Sequence, residues 1–435
     1  MAYDLENLLK ALGNSGITDS KAIQAALGAS QATVSRLIEA AGSRVVRIGR
    51  GRNTRYFRPH HLFTSQALFR IDAAGIAEHL ADVCPIMGGG YYVEALGSER
   101  WLGGLCGDGL YDGLPYFVDD LRPQGYIGRQ IARTMGAPYP QDPRRWSSSQ
   151  VFAWLIETGA DLPGALVFGS KALDAALSSP KVVKPNEYPK LAAQTLSGAV
   201  PGSSAGGEQP KFAAYSAKVG QVLVKFSAKK DGQAVCRWRD ILIAEHHALT
   251  TLRRNDVEAA VSRLFEFEGR TFLEVERFDR VGAKGRNSMI SLAAIDAEFV
   301  GEGRDWVTSL RALLKKKLVP AEDVQRAVFL QLFGTWIGNA DMHLGNMSLQ
   351  AHKQGFSLLP AYDMTPMLWA PIVGELPTQA NLKPPVRDPR FSSEWGSSAR
   401  MALEFWSTLE KESRLSDDYR SIATESKSLI QMHLG

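Results

Sequence analysis

Leu5, Leu8, Leu9 and Leu12 share one face of a 3.6-residue repeat, which predicts a first helix from Tyr3 to Leu12. Thr18 or Asp19 can cap a second helix, Ser20 to Leu27, ended by Gly28. Ser30 caps a third, Gln31 to Ala41, with Val34, Leu37 and Ile38 inward and Gln31, Thr33, Ser35 and Arg36 outward. Alternation then replaces the helical period. Val45 to Ile48 and Thr54 to Phe57 flank a Gly49 to Asn53 tip as a β-hairpin. Residues 58–70 read as a linker and Ile71 to Val83 as an amphipathic helix. Further helices are predicted over Ile127 to Thr134 and Ser147 to Glu157.

In the second half, Phe212 to Tyr215, Gln221 to Phe226 and Phe272 to Val275 read as strands, with a helix at Ile241 to Leu249 between them. An apolar segment, Val328 to Trp336, leads into Asp341-Met342-His343-Leu344-Gly345-Asn346, and a β-like run leads out. Leu358 to Asp363 is an apolar strand followed by an acid. Ser397 to Lys411 and Tyr419 to His433 read as closing helices.

A chain of 435 residues with 45% hydrophobic content suffices for two or three domains. No stretch approaches eighteen consecutive apolar residues and no export signal opens the chain, so a soluble protein in the cytoplasm, without membrane partners, is expected. Cys84, Cys106 and Cys236 lack metal-ligand spacing and suit a reducing compartment. The net charge of +4 is unevenly placed: residues 1–60 carry +5 and the other 375 sum to −1.

That basic segment changes the picture of the first three helices. With its Gly-containing turn, polar-faced third helix and Arg/Gly hairpin, it resembles a winged-helix DNA-binding domain. The resemblance implies that Gln31, Thr33, Ser35 and Arg36 enter the major groove of double-stranded DNA. Arg47, Arg50, Arg52 and Arg55 would reach phosphates or the minor groove. A helical protein-interaction module with a solvated basic hairpin is the alternative. Met87 to Gly109 is also Gly-rich, but no Gly-Lys-Ser/Thr follows, so tight turns are expected there; Asp108, Asp112, Asp119 and Asp120 read as turn and cap residues.

The candidate chemistry begins near residue 200. Ser203-Ser204-Ala205-Gly206-Gly207 is small and rich in backbone N–H groups, suited to close approach by phosphates, although such loops are common. Lys225 ends a strand, as in the Val-Ala-Ile-Lys strand that pairs with nucleotide phosphates, with an edge-strand lysine in water as the alternative. Glu245 on the next helix is one candidate to hold it, with Asp240 or a solvated face as the others. Phe272 to Arg280 is a buried strand running into a charged turn; in a kinase it would be the hinge whose backbone reads adenine, and an alternating strand with an exposed charged end is the equal alternative. An Asp, an Asn five positions on and an Asp past a hairpin supply a base for a hydroxyl and two oxygen ligands for Mg²⁺. These are Asp341, Asn346 and Asp363. His343 braces the loop between them, on the nucleotide side.

Together, the Ser203 to Gly207 loop, Glu276-Arg277-Phe278-Asp279-Arg280, Asp341 to Asn346 and Pro360-Ala361-Tyr362-Asp363 resemble the HipA-type serine/threonine kinases, toxin halves of bacterial toxin–antitoxin systems. The likeness covers roughly residues 70–435, and the leading basic module is similar to the single-chain, YjjJ-like branch. The resemblance implies an α+β, bilobal protein-kinase-like fold with a winged helix at 1–60. An N-terminal subdomain and kinase N-lobe would fill 70–275, and a helical C-lobe 276–435. It implies ATP and Mg²⁺ as cofactors, Asp341 as base, Asn346 and Asp363 as metal ligands, and Lys225, Gly206, Gly207, Glu276 and Phe278 around the nucleotide. Ser203, with Ser204 second, would be autophosphorylated. The acceptor would be a Ser/Thr hydroxyl of a protein, by analogy an aminoacyl-tRNA synthetase, and the effect growth inhibition. Two departures stand out: Pro210 and an apparently longer loop, and a DNA reader in cis where the family uses a separate antitoxin. A DNA-binding regulator with a nucleotide-sensing body, and a Mg²⁺-dependent nuclease, remain as alternatives.

Overall fold

The computed structural model describes residues 4–60, 65–197, 209–229, 232–372, 374–378 and 380–434. In the first of these spans, Leu8, Leu9 and Leu12 of α1 (Leu5–Ser15) form one small core with Ile23 of α2 (Ser20–Leu27) and Val34 of α3 (Gln31–Ala41). Each helix starts on a side-chain cap: Asp4 accepts from Asn7 N at 2.8 Å, Asp19 from Ala22 N at 2.8 Å and Ser30 from Thr33 N at 3.3 Å. β1 (Val46–Ile48) and β2 (Arg55–Phe57) pair antiparallel, with Val46 opposite Phe57. Gly49 makes the tip possible: its φ is +74°, and a Cβ there would lie 2.5 Å from the Asn53 carbonyl oxygen.

The next unit is an antiparallel sheet of order β6-β5-β4-β3-β7, formed by β3 (Gln66–Ile71), β4 (Ala77–Pro85), β5 (Tyr91–Ala95), β6 (Leu110–Tyr111) and β7 (Leu166–Phe168). Helices α4 (Tyr116–Asp119), α5 (Gly125–Met135) and α6 (Ser148–Thr158) lie between β6 and β7, and α7 (Gly169–Ala176) follows. This corrects two sequence expectations. The segment 58–70 holds a central strand, and Ile71 to Val83 is a β-hairpin arm rather than a helix. Asp72 makes the turn, accepting from Ala74 N at 2.9 Å and Ile76 N at 2.8 Å, with Gly75 at φ +82°. A register shift at Leu68/Phe69 leaves Leu80 and Ala81 both buried, which breaks the two-residue alternation and imitates helical spacing.

β8 (Val182–Val183) and α8 (Tyr188–Ser197) introduce a second sheet, order β11-β12-β10-β9-β8. Its other strands are β9 (Lys211–Ser216), β10 (Gly220–Phe226), β11 (Ser262–Phe267) and β12 (Arg270–Glu276), with α9 (Gln233–Arg254) inserted between β10 and β11. Tyr188, Phe212, Phe226 and Phe272 fill one core beneath it. After a ribbon of β13 (Arg280–Val281) and β14 (Gly285–Arg286) come β15 (Ile290–Ser291), α10 (Leu292–Phe299), α11 (Trp306–Lys315) and α12 (Ala321–Trp336). The hairpin β16 (Ser348–His352) and β17 (Gly355–Leu358) pairs with β15, and α13 (Ser392–Glu410) and α14 (Asp417–Leu434) close the chain. The body is thus a mixed α+β, kinase-like pair of lobes, sheet above and helices below.

Polar joints hold the units together. Arg58 Nη1 donates to the Leu9 carbonyl at 3.2 Å, and the Phe57 ring lies 5.4 Å from that of Tyr92. Asp120, read from sequence as a turn residue, instead accepts from Ser291 N at 2.8 Å and from the Ser291 hydroxyl, tying α4 to α10. Buried Asp279 is clamped by Arg277 at 2.8 Å and Arg280 at 2.9 Å, and both arginines also reach Asp161 before β7. Among the described residues no helix is long and apolar enough to cross a membrane.

Candidate active site

α12 delivers the Asp341 loop to the side of Asp363. The helix ends at Trp336, and two residues on Gly338 turns the chain with φ +72°, where a Cβ would lie 2.4 Å from the Trp369 ring. Asn339 is buried and fixes the descent: its Oδ1 accepts from Asp341 N at 3.0 Å, and its Nδ2 donates to the Asp363 carbonyl at 3.4 Å. The Asp341 carboxylate remains 55% exposed, free for an incoming group. Asn346 Nδ2 donates to the Asp341 carbonyl at 2.7 Å, which orients the amide and leaves its oxygen without a hydrogen-bond partner among the described residues. His343 accepts from Gly345 N at 3.0 Å through Nδ1, while its Nε2 lies 3.9 Å from Asp341 Oδ1. Trp306 Nε1 holds the His343 carbonyl at 2.9 Å and the Tyr362 hydroxyl holds that of Gly345 at 2.9 Å.

From the sheet, β10 brings Lys225 to the same aspartate. Its side chain is only 7% exposed, and Nζ donates to Glu245 Oε1 at 2.7 Å and Oε2 at 2.9 Å, and also to Asp363 Oδ1. Burial would lower the Lys225 pKa, but the charges of Asp363 and Glu245 outweigh it and raise it. Burial acts on Asp363 the other way, and there the charges of Lys225 and Lys211 win, holding the carboxyl at about 2. Lys211 stands opposite Lys225 in the β9–β10 register. Asp363 has φ +53°, an unusual conformation for a residue with a side chain; its carbonyl is held by Thr365 N at 2.9 Å.

Four of the sequence candidates therefore converge: Lys225 touches Asp363 directly, and Asn339 links Asp363 to the Asp341–Asn346 loop. Glu276 lies at the end of β12, paired with Arg263 at 2.7 Å, and the Phe278 ring lies 5.7 Å from Tyr362. Ser203, Ser204, Gly206 and Gly207 fall outside the described residues. Asn339 and Tyr362 escaped the sequence reading; the Asx-turn spacing Asn-Ala-Asp was the available signal for the first. Among the described residues no group of three or more His, Cys, Asp or Glu is gathered for a metal.

At the other end of the chain, Gln31, Ser35 and Arg36 are exposed on α3, whereas Thr33 Oγ1 lies 3.1 Å from its cap, Ser30 Oγ. Arg47, Arg50 and Arg52 are exposed on the hairpin. Arg55 is 3.6 Å from Asp19 Oδ2.

Residues 63–177 match the middle domain of the YjjJ-like toxins, and residues 203–426 match the HipA-like C-terminal domain. The Escherichia coli K12 protein Toxin YjjJ is 34% identical over 421 residues, 93% of each chain. In fold, the chain is similar to HipA of Shewanella oneidensis MR-1, solved with HipB and its operator DNA. That match has a TM-score of 0.59 and 16% identity, and covers 84% of this chain and 96% of that one. With the family models and the close relative in agreement over nearly its whole length, the chain belongs to the HipA-like toxin family, in its YjjJ-like branch.

Proposed function

We propose that this protein is an ATP- and Mg²⁺-dependent serine/threonine protein kinase that acts as a growth-inhibiting toxin, with a winged-helix DNA reader in residues 1–60. One observation carries the reading: Lys225 Nζ is shared between Glu245 and Asp363. A buried lysine held by two carboxylates, one of them a candidate metal ligand, is the arrangement that positions nucleotide phosphates. The donor set fits the cofactor. Asp363 and the Asn346 amide oxygen are two hard oxygens, and Mg²⁺ takes one or two protein ligands alongside phosphate oxygens and waters.

When bound, Mg²⁺·ATP supplies the γ-phosphoryl group and the charge neutralisation for its transfer. Lys225, steadied by Glu245, holds the phosphates. Asp341, exposed, accepts the proton of the acceptor hydroxyl and orients it for in-line attack. Gly345 and Asn346 are kept in place by His343 and Tyr362, so little of the loop must be ordered as the substrate arrives. Glu276 and Phe278 would sit at the adenine edge, and Gly206, Gly207 and the autophosphorylation candidates Ser203 and Ser204 above the phosphates.

The DNA reading rests on the exposed Gln31, Ser35 and Arg36 on α3 and Arg47, Arg50 and Arg52 on the hairpin. The Shewanella relative was solved with a separate HipB and operator DNA; here the reader would be carried in cis. Incubation with Mg²⁺ and γ-labelled ATP, followed by mapping of labelled residues on this chain and in a lysate, tests the kinase claim. Transfer is expected from the native chain and lost in Asp341→Ala; undiminished transfer in that variant overturns the assignment.

A further inference from the structure

The β16–β17 hairpin leads away from the Asp341 loop, and at its far end lies an open groove of about 460 Å³. Leu314, Leu318, Val319, Pro320 and Phe356 line it, with Lys317, His352 and Gln354 at its edge. Its floor is fixed by backbone bonds: Phe356 N donates to the Leu318 carbonyl at 2.7 Å, and Lys317 N to that of Leu314 at 2.8 Å. Gly355 permits this closeness, since a Cβ there would lie 2.5 Å from the Leu318 oxygen.

The rim is strongly basic. Lys315, Lys316 and Lys317 are exposed at the end of α11, and Lys353 is exposed at the hairpin turn. None of the four has an ion pair among the described residues. A lysine or two at a helix C-terminus would complement the helix dipole. That does not account for Lys353, nor for Lys317, which takes φ +58° where a glycine would be unstrained. No Asp or Glu is among the residues that line the groove. Of the two acids on the first turn of α12, Asp323 is spent on Leu358 N at 2.7 Å and on Arg326 at 3.6 Å, and Glu322 is exposed.

We infer that this groove docks a short acidic segment of a protein partner, one that places one or two large apolar side chains against the partly exposed Leu314, Leu318 and Pro320 with Asp or Glu on either side. Charge complementarity selects the acidic peptide, and the apolar floor selects peptide over a nucleic-acid backbone, which has no comparable side chain to bury. The groove is pre-formed, so binding need order only the peptide. By strand geometry it lies roughly 13 Å beyond Ser348, the first residue of β16, which begins just after the catalytic loop. A protein tethered there would hold a neighbouring acceptor hydroxyl at raised local concentration. That consequence rests on the kinase reading; the binding does not.

The test uses the full chain and a fluorescein-labelled peptide, Glu-Asp-Leu-Glu-Phe-Asp-Glu, followed by anisotropy. Saturable binding is expected. It should weaken at least about tenfold when Leu and Phe of the peptide are replaced by Ser, and similarly in the surface variant Lys316→Glu/Lys317→Glu/Lys353→Glu. Unchanged thermal melting would certify that this variant is folded. Equal binding of the Ser-containing peptide, an unaffected charge-reversed variant, or no saturation up to about 1 mM peptide overturns the proposal. So does displacement of the peptide by duplex DNA from a chain whose hairpin arginines have been removed, which would assign the lysines to phosphates instead.

Discussion

Asn346 Nδ2 donates to the Asp341 carbonyl at 2.7 Å, so the amide that would ligate Mg²⁺ is oriented by the residue that would act as base. Replacing Asn346 by Ala removes both the ligand and the brace, and phosphoryl transfer should fall by about 10² or more. Asn346→Asp restores an oxygen but puts a carboxylate beside a carbonyl, and should recover metal binding better than turnover. Titration of transfer rate against Mg²⁺ separates the two. An Asn346→Ala chain with native rate and native Mg²⁺ dependence contradicts the assigned role.

The Lys225–Glu245 pair is buried, and breaking a buried pair costs more than deleting it. Lys225→Met leaves Glu245 without its cation and should destabilise the fold by about 3–5 kcal/mol. The double variant Lys225→Met/Glu245→Gln removes both charges and should be more stable than Lys225→Met alone. Both should lose nucleotide binding. Urea unfolding of the single and double variants measures this coupling, and simple additivity would argue against the pairing.

Acid sensitivity should come from α9. His246 is pushed down to about 4, first by burial and then by the neighbouring His247 charge; its Nδ1 lies 2.9 Å from Ser262 Oγ, while His247 contacts Glu412 at 2.8 Å. The folded value lies below the ordinary 6.5, so in acid the unfolded chain takes up the proton first. Stability is complete above pH about 6.5 and is lost as pH falls towards 4, by up to about 3 kcal/mol. Asp363, held at about 2, keeps its charge in the folded chain through this window, and its own contribution is lost mainly below pH about 4. Melting temperature against pH checks this: His246→Gln should flatten the profile between pH 4 and 6.5.

Duplex binding should depend on salt through the hairpin. Removing Arg47, Arg50 and Arg52 together should lower the slope of log K against log salt by about 0.9 for each phosphate that is no longer neutralised. Arg55→Ala should change it less, because Arg55 already faces Asp19 at 3.6 Å. Mobility shifts across a salt series provide the measurement, and an unaltered slope in the triple variant would remove the hairpin from the interface.

Asp279 tests the joint between the first sheet and the body. Asp279→Ala leaves Arg277 and Arg280 with the exposed Asp161 and the Leu162 and Gly164 carbonyls but without their buried counter-charge, and should cost about 3–5 kcal/mol of stability. A native denaturation midpoint would show that the clamp is dispensable.

The sequence by itself determined the elements whose signals are local. Caps at Asp19 and Ser30 and the leucine face of the first helix depend on neighbours along the chain, and each is found where the pattern placed it; the first helix itself starts at Leu5 on an Asp4 cap, two residues later than its apolar period suggested. The strands between Gln66 and Pro85 were hidden, because a bulge disturbed their alternation and the apolar residues fell at helical intervals. Only the tertiary structure could decide the long-range partners: Glu245 for Lys225, Asn339 between Asp363 and Asp341, Asp120 for Ser291. Nothing local specifies them, since a charge or an amide carries no periodicity and shows its role only once burial removes water as the competing partner. The basic rim around Leu318 and Phe356 belongs to the same class: three lysines in a row are plain in the chain, but the apolar groove beside them exists only when α11 and the β16–β17 hairpin meet.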